Sequence, residues 1–180
     1  MPASAAEVIS FWRDAGPDRW FTKDAAFDGQ IRERFFDTYE AAAAGKLSGW
    51  EGDAQGALAL LILLDQFPRN MFRGDARAFA TDPLARAVAA GAIVRGFDSQ
   101  VPADLRSFFY LPFEHSEDLA DQERGIAFYK ASGDADGLKW AEIHADIIRR
   151  FGRFPHRNAV VGRATTPEEQ KFLDDGGFSG

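Results

Sequence analysis

The chain has 180 residues, 46% hydrophobic and 27% charged, with a formal net charge of −7. That is the composition of a globular protein able to bury a core of its own, and its acidic balance argues against a general nucleic-acid binder, which needs a basic face. Cysteine is absent, which excludes a disulfide framework, a thiolate metal site and a cysteine nucleophile.

Helical punctuation dominates from the first residues onward. Ser4 caps a predicted helix running through Trp12, with Val8, Phe11 and Trp12 on one side. A second is expected from about Asp28 to Ala44, where Ile31, Phe35, Phe36 and Tyr39 recur at helical spacing and Gly45 supplies the stop. Asp53 caps a third, ending near Gln66. Its residues Leu58 and Leu60 to Leu64 are apolar all round, which marks it as the central buried helix. Asp82 followed by Pro83 reads as a cap and a first-turn proline, opening a helix to about Arg95. Pro102 opens another, carrying Leu105, Phe108 and Phe109. Ser116 is the expected cap of a helix through about Ala131, and Asp134 or Asp136 begins one through about Phe151. Thr166, Pro167 and Glu169 complete the set as cap, first-turn proline and capping-box acid.

No pair of alternating β-branched runs surrounds a hairpin dipeptide, so the expected class is all-α, with seven to nine helices in a single domain, residues 1–180. The Gly-rich tail from Asp174 to Gly180 is expected to fray. The first residues lack the basic and apolar regions of a signal peptide. The longest apolar run, Ala57 to Leu64, is eight residues, too short to span a bilayer. The expectation is a cytoplasmic protein with neither membrane nor nucleic acid among its partners.

Candidate chemistry gathers in three places. The first is Asp65, Gln66, Phe67, Pro68, Arg69, Asn70 and Arg73. Pro68 disfavours helical geometry at Phe67, so the buried helix is expected to end or kink there and a new turn to begin. Arg69 and Arg73 would then share one face, a plausible anion site, although Arg69 could instead serve as the partner that Asp65 needs beside so apolar a helix. The second place is Glu114, His115, Ser116 and Glu117, where a histidine between carboxylates could act as a general base. The third is His144 to Arg163, holding Arg149, Arg150, Arg153, Arg157 and Arg163 against one acid, Asp146. Glu114 to Glu123 holds five acids and no Lys or Arg, so the two segments are expected to meet as an internal charge network. A second Phe-Pro break, Phe154-Pro155-His156-Arg157-Asn158, lies inside the third cluster. The three histidines, His115, His144 and His156, match no metal-binding spacing, and no phosphate loop, dinucleotide fingerprint or nucleophile elbow occurs. No metal or cofactor is expected.

Four blocks carry a family resemblance: Leu63-Leu64-Asp65-Gln66-Phe67-Pro68-Arg69-Asn70, Ala78-Phe79-Ala80-Thr81-Asp82-Pro83, Leu111-Pro112-Phe113-Glu114-His115-Ser116-Glu117, and Arg150-Phe151-Gly152-Arg153-Phe154-Pro155-His156-Arg157-Asn158. With Trp20-Phe21 and Thr165-Thr166-Pro167-Glu168-Glu169 they resemble, across nearly the whole chain, the bacterial domain-of-unknown-function family 924; Asp134 to Trp140 is a variable stretch by comparison. The resemblance implies antiparallel helix hairpins packed in a tetratricopeptide-like right-handed superhelix, and assigns no reaction.

Three functions follow. The leading one is binding of a small anionic molecule or an acidic peptide end in a concave pocket lined by Arg69, Arg73, Arg153 and Arg157, with Asp65, Gln66, Asn70, Glu117, His144 and Asn158 as further ligand-binding candidates. The second is a small-molecule hydrolase or acid–base enzyme in which His115 or His156 moves protons and Glu114 or Glu117 orients the base. In the third, the charged blocks are purely structural.

Overall fold

The computed structural model describes residues 2–179, and among them there is no strand. In chain order the helices are α1 (Ala5–Ala15), α2 (Pro17–Trp20), α3 (Ala25–Ala43), α4 (Ala54–Leu61), α5 (Phe67–Met71) and α6 (Asp82–Val94). There follow α7 (Ala103–Arg106), α8 (Leu111–Glu114), α9 (Leu119–Ser132), α10 (Ala135–Phe151) and α11 (Pro167–Asp174). The all-α class holds.

Side-chain caps start these helices as the sequence predicts in four cases. Ser4 and Glu7 form a capping box on α1, Asp53 bonds the Gly56 amide, Asp134 bonds the Gly137 amide, and Thr166 and Glu169 form a second box on α11. Helix α3 starts earlier than expected, at Ala25, because Asp24 caps it. At two helices the cap lies elsewhere. Thr81, not Asp82, stands at the N-cap of α6. Asp118, not Ser116, caps α9, because the Ser116 hydroxyl is held by Asp121. Pro102 is the N-cap of α7, and the Phe108 region continues as a 3₁₀ turn, Ser107–Phe109.

The buried helix does not end at Phe67. It passes from α4 into a π-helical turn, Ile62–Gln66, and then into α5 without leaving the helical region of the backbone. Pro68 has no N–H for the usual bond to the carbonyl four residues back, and one wider turn absorbs the break. The Phe67 amide accordingly reaches the Ile62 carbonyl, five residues back.

The Cα positions group into two compact units. The N-terminal unit comprises the chain up to Arg73 together with Arg77–Pro112. Its core surrounds Leu58 to Leu64 and an aromatic ladder: Trp20 stacks on Trp12, Trp12 on Phe27 and Phe27 on Phe11, at centroid spacings of 6.1, 6.0 and 5.5 Å. The C-terminal unit comprises Gly74–Ala76 and the chain from Phe113 onward. Here α9 and α10 fold back on each other through Gly133, which takes the left-handed conformation that glycine adopts without strain. Ile147, Ile148 and Phe154 form its core, joined by Phe151, Phe172 and Phe178. The tail expected to fray sets the Phe178 ring 4.4 Å from that of His144; Gly180 lies outside the described residues.

Candidate functional site

The first block lies in the N-terminal unit, and its charges face one another. The two terminal nitrogens of Arg69 each donate to one carboxylate oxygen of Asp82, both at 3.0 Å. Nη1 also donates to the Asp65 carbonyl and stands 3.3 Å from the Asp65 carboxylate. Gln66 Nε2 donates to the other oxygen of Asp65 at 2.6 Å. Burial opposes the Arg69 charge, yet the carboxylates of Asp65 and Asp82 hold its pKa above the ordinary arginine value. One turn on, Arg73 donates through Nε and Nη2 to Asp28 at 2.9 and 3.0 Å, and Asn70 Nδ2 donates to the same carboxylate at 2.8 Å. Arg69 thus finds the expected Asp65 and a closer partner in Asp82.

The second and third places both belong to the C-terminal unit, and the acidic and basic segments meet there. Glu117 receives both terminal nitrogens of Arg163, at 2.6 and 2.9 Å, and accepts the Phe154 amide at 2.8 Å. Burial would raise the Glu117 pKa; the Arg163 and Phe154 donors and the Arg157 charge bring it below the usual carboxylate value. Arg153 pairs with Glu169 through Nε and Nη2, at 2.6 and 2.9 Å. Asn158 Nδ2 and the Thr166 amide donate to the same carboxylate. This ring of donors, Arg153 first, pulls Glu169 down to about 2.

Glu114 and His144 are both buried, 4% and 6% exposed. The His144 Nδ1 lies 3.0 Å from the Glu114 carboxylate and 2.8 Å from the Trp140 carbonyl. Two acceptors facing one nitrogen assign a proton to Nδ1. The sequence offered His115 or His156 as partners for an orienting glutamate; the histidine set against Glu114 is His144, brought there by α10. His115 sits half-buried in the turn between α8 and α9.

Phe154 is the hub of this unit. The rings of His144 and His156 lie 5.5 and 5.6 Å from it, and the Arg157 guanidinium lies 4.5 Å over its face. Pro155 begins a 3₁₀ turn, Pro155–Arg157, which aims two consecutive side chains back at the ring that precedes them. Phe178 covers the two imidazoles, 4.4 Å from His144 and 5.3 Å from His156. Among the described residues, no three His, Asp or Glu side chains are grouped to hold a metal ion.

Asp28, Asp82, Arg163 and Glu169 hold the predicted residues in place but were not singled out from sequence as site residues. Asp82 and Glu169 were visible only as helix-start acids, a role that masks a long-range partner.

A family model described as a bacterial protein of unknown function (DUF924) matches residues 8–177. The solved structure of a protein of unknown function, ATU0120 from Agrobacterium tumefaciens, is similar. It shares 54% identity over 95% of this chain and 97% of that chain, with a TM-score of 0.92. No curated protein matches the chain.

Proposed function

Because the chain belongs to the DUF924 family of bacterial proteins, its chemistry has to be read from its own side chains, and we propose that it binds a small anionic molecule or an acidic peptide end at the Phe154 hub. The carrying observation is the convergence of three nitrogen-bearing side chains, His144, His156 and Arg157, on one phenyl ring. Arg157 supplies a permanent charge and a planar fork of donors suited to carboxylate or phosphate. The imidazoles add donors, and charge when protonated. Glu114 and Glu117 hold the frame, each against a partner already described. Arg153 and Asn158 brace the hub through Glu169. We read the Asp65, Gln66, Arg69, Asn70 and Arg73 block as a folding lock. No helix among the described residues is long and apolar enough to cross a membrane, and we take the ligand to be a cytoplasmic one. The scaffold in this reading is the tetratricopeptide-like stacking implied by the family resemblance, with α9 and α10 as one of its hairpins.

Calorimetric titration with inorganic phosphate, citrate and a peptide with an acidic C-terminus tests this. We expect one of them to bind, to weaken with added salt, and to lose about tenfold or more in affinity in Arg157→Gln. Absence of binding by all three, or equal binding by a folded Arg157→Gln, would sink it. One observation favours acid–base catalysis as a second reading: the carboxylate-oriented imidazole of Glu114 and His144. Turnover of a bound ligand, abolished in His144→Asn with binding retained, is its signature.

A further inference from the structure

A groove in the N-terminal unit carries opposite charges that are not spent on the fold. It lies between α1 and α3, with a volume of about 430 Å³, a size typical of small-molecule sites. Phe11 and Phe27 form its apolar floor, stacked at 5.5 Å with their planes 10° apart. From α1 it is lined by Glu7, Ser10 and Asp14, which share one face at helical spacing, and from α3 by Gln30 and Arg34. Arg19 lies at its edge, 4.5 Å over Phe27 and paired with Asp24.

The lining groups divide sharply by what they already do. Glu7 is spent in the capping box of α1, and Arg19 on Asp24. Arg34 lies with its guanidinium 4.6 Å over the face of Phe11. Among the described residues it makes no hydrogen bond or ion pair, and stacking on a ring consumes none of its N–H donors. The Asp14 carboxylate likewise accepts no hydrogen bond among the described residues. The Arg34 charge helps to lower the Glu7 pKa, after the Ser4 hydrogen bonds that dominate it, but its N–H donors are unused; with the Asp14 carboxylate it lines one concavity over an apolar floor. Arg69, Arg73, Arg153 and Arg163 all contrast with this, each pairing bidentately with an internal carboxylate.

We infer that this groove binds a free amino acid with an apolar side chain. The Arg34 fork would take the carboxylate, Asp14 the ammonium group, and the Phe11–Phe27 floor the side chain. A simple anion would gain Arg34 but meet Asp14 and Glu7 without compensation; a simple cation would meet Arg34 in the same way. Only a ligand with both charges and an apolar body answers the whole lining.

The test is a titration of the full chain with L-phenylalanine, followed by backbone amide NMR and by calorimetry. Expected are saturable shifts at Ser10, Asp14, Gln30 and Arg34, and affinity reduced about tenfold or more in Arg34→Gln and in Asp14→Asn. Phenylacetate, which lacks the ammonium group, and phenethylamine, which lacks the carboxylate, should each bind more weakly by a similar factor. Both substitutions fall on exposed side chains, and circular dichroism verifies their fold. No saturable shift up to the solubility limit of the amino acid, or binding indifferent to both substitutions, or binding of either single-charge analogue as tight as that of L-phenylalanine, would overturn the inference.

Discussion

The Thr81 hydroxyl donates to the Leu64 carbonyl at 2.6 Å, and Leu64 is the residue whose carbonyl Pro68 cannot serve. A proline inside a helix orphans the acceptor four residues before it. Here a side chain from the start of α6 takes that acceptor, and the Thr81 hydroxyl makes no capping bond to its own helix. Thr81→Val keeps the shape and removes the donor. It should cost about 1–2 kcal/mol, the usual penalty for stranding a buried carbonyl, with Thr81→Ser close to wild type. Urea unfolding of the three proteins measures it, and a valine variant as stable as wild type would refute the role.

Arg69 lies between the buried carboxylates of Asp65 and Asp82. Arg69→Met removes the guanidinium that both carboxylates face, and a loss of about 3–5 kcal/mol is expected. Adding Asp65→Asn and Asp82→Asn to that variant should recover part of the loss, since the stranded charges, rather than the missing attraction, carry most of the cost. A triple variant less stable than Arg69→Met would contradict this.

Glu169 gives the acid limb of the stability curve a defined sign. Its carboxyl titrates near 2 in the folded chain against 4.5 ordinarily. A depressed carboxylate contributes stability that is full above the unfolded value and is lost as pH falls toward the folded one. Glu169→Gln should therefore cost about 2–3 kcal/mol at neutral pH, the worth of hydrogen bonds to a charged group. The gap between the two proteins should narrow as the pH of urea unfolding is lowered from about 7 to about 3. A gap independent of pH would show that Glu169 acts through packing alone.

A single domain remains our proposal for the chain, and scanning calorimetry tests it. One transition with equal calorimetric and van't Hoff enthalpies is expected; two resolved transitions would mean that the two units melt separately.

Much of the fold was legible because it is written locally. Ser4, Asp53, Asp134 and Thr166 cap helices through bonds to amides three residues away, and that chemistry needs no knowledge of the rest of the chain. The two displaced caps share a cause. Asp82 holds Arg69 and the Ser116 hydroxyl holds Asp121. A good capping residue with another claim on its oxygen gives up the cap to a neighbour. The candidate site was legible as a neighbourhood, not as pairs. The meeting of the acidic and arginine-rich segments was foreseeable from their charge alone, and Glu117 with Arg163 bears it out. The pairing of Glu114 with His144, rather than with the adjacent His115, depends on how α10 returns past α8, which no local pattern encodes. The groove over Phe11 and Phe27 carries no rare motif at all. Its residues read as the ordinary polar faces of two amphipathic helices.

The π-helical turn Ile62–Gln66 also acts as a phase setting. One residue corresponds to about 100° of rotation around a helix axis, so the extra residue in that turn decides the compass direction of everything after it. With it, Arg69 looks toward Asp82, while Asn70 and Arg73 look toward Asp28. A chain one residue shorter between Ile62 and Gln66 would lose the wider turn, with Pro68 still in the helix, and would turn all three side chains away from their carboxylates together. The irregularity is therefore a spacer whose length is fixed by two distant aspartates, and a deletion there would undo more of the fold than many core truncations.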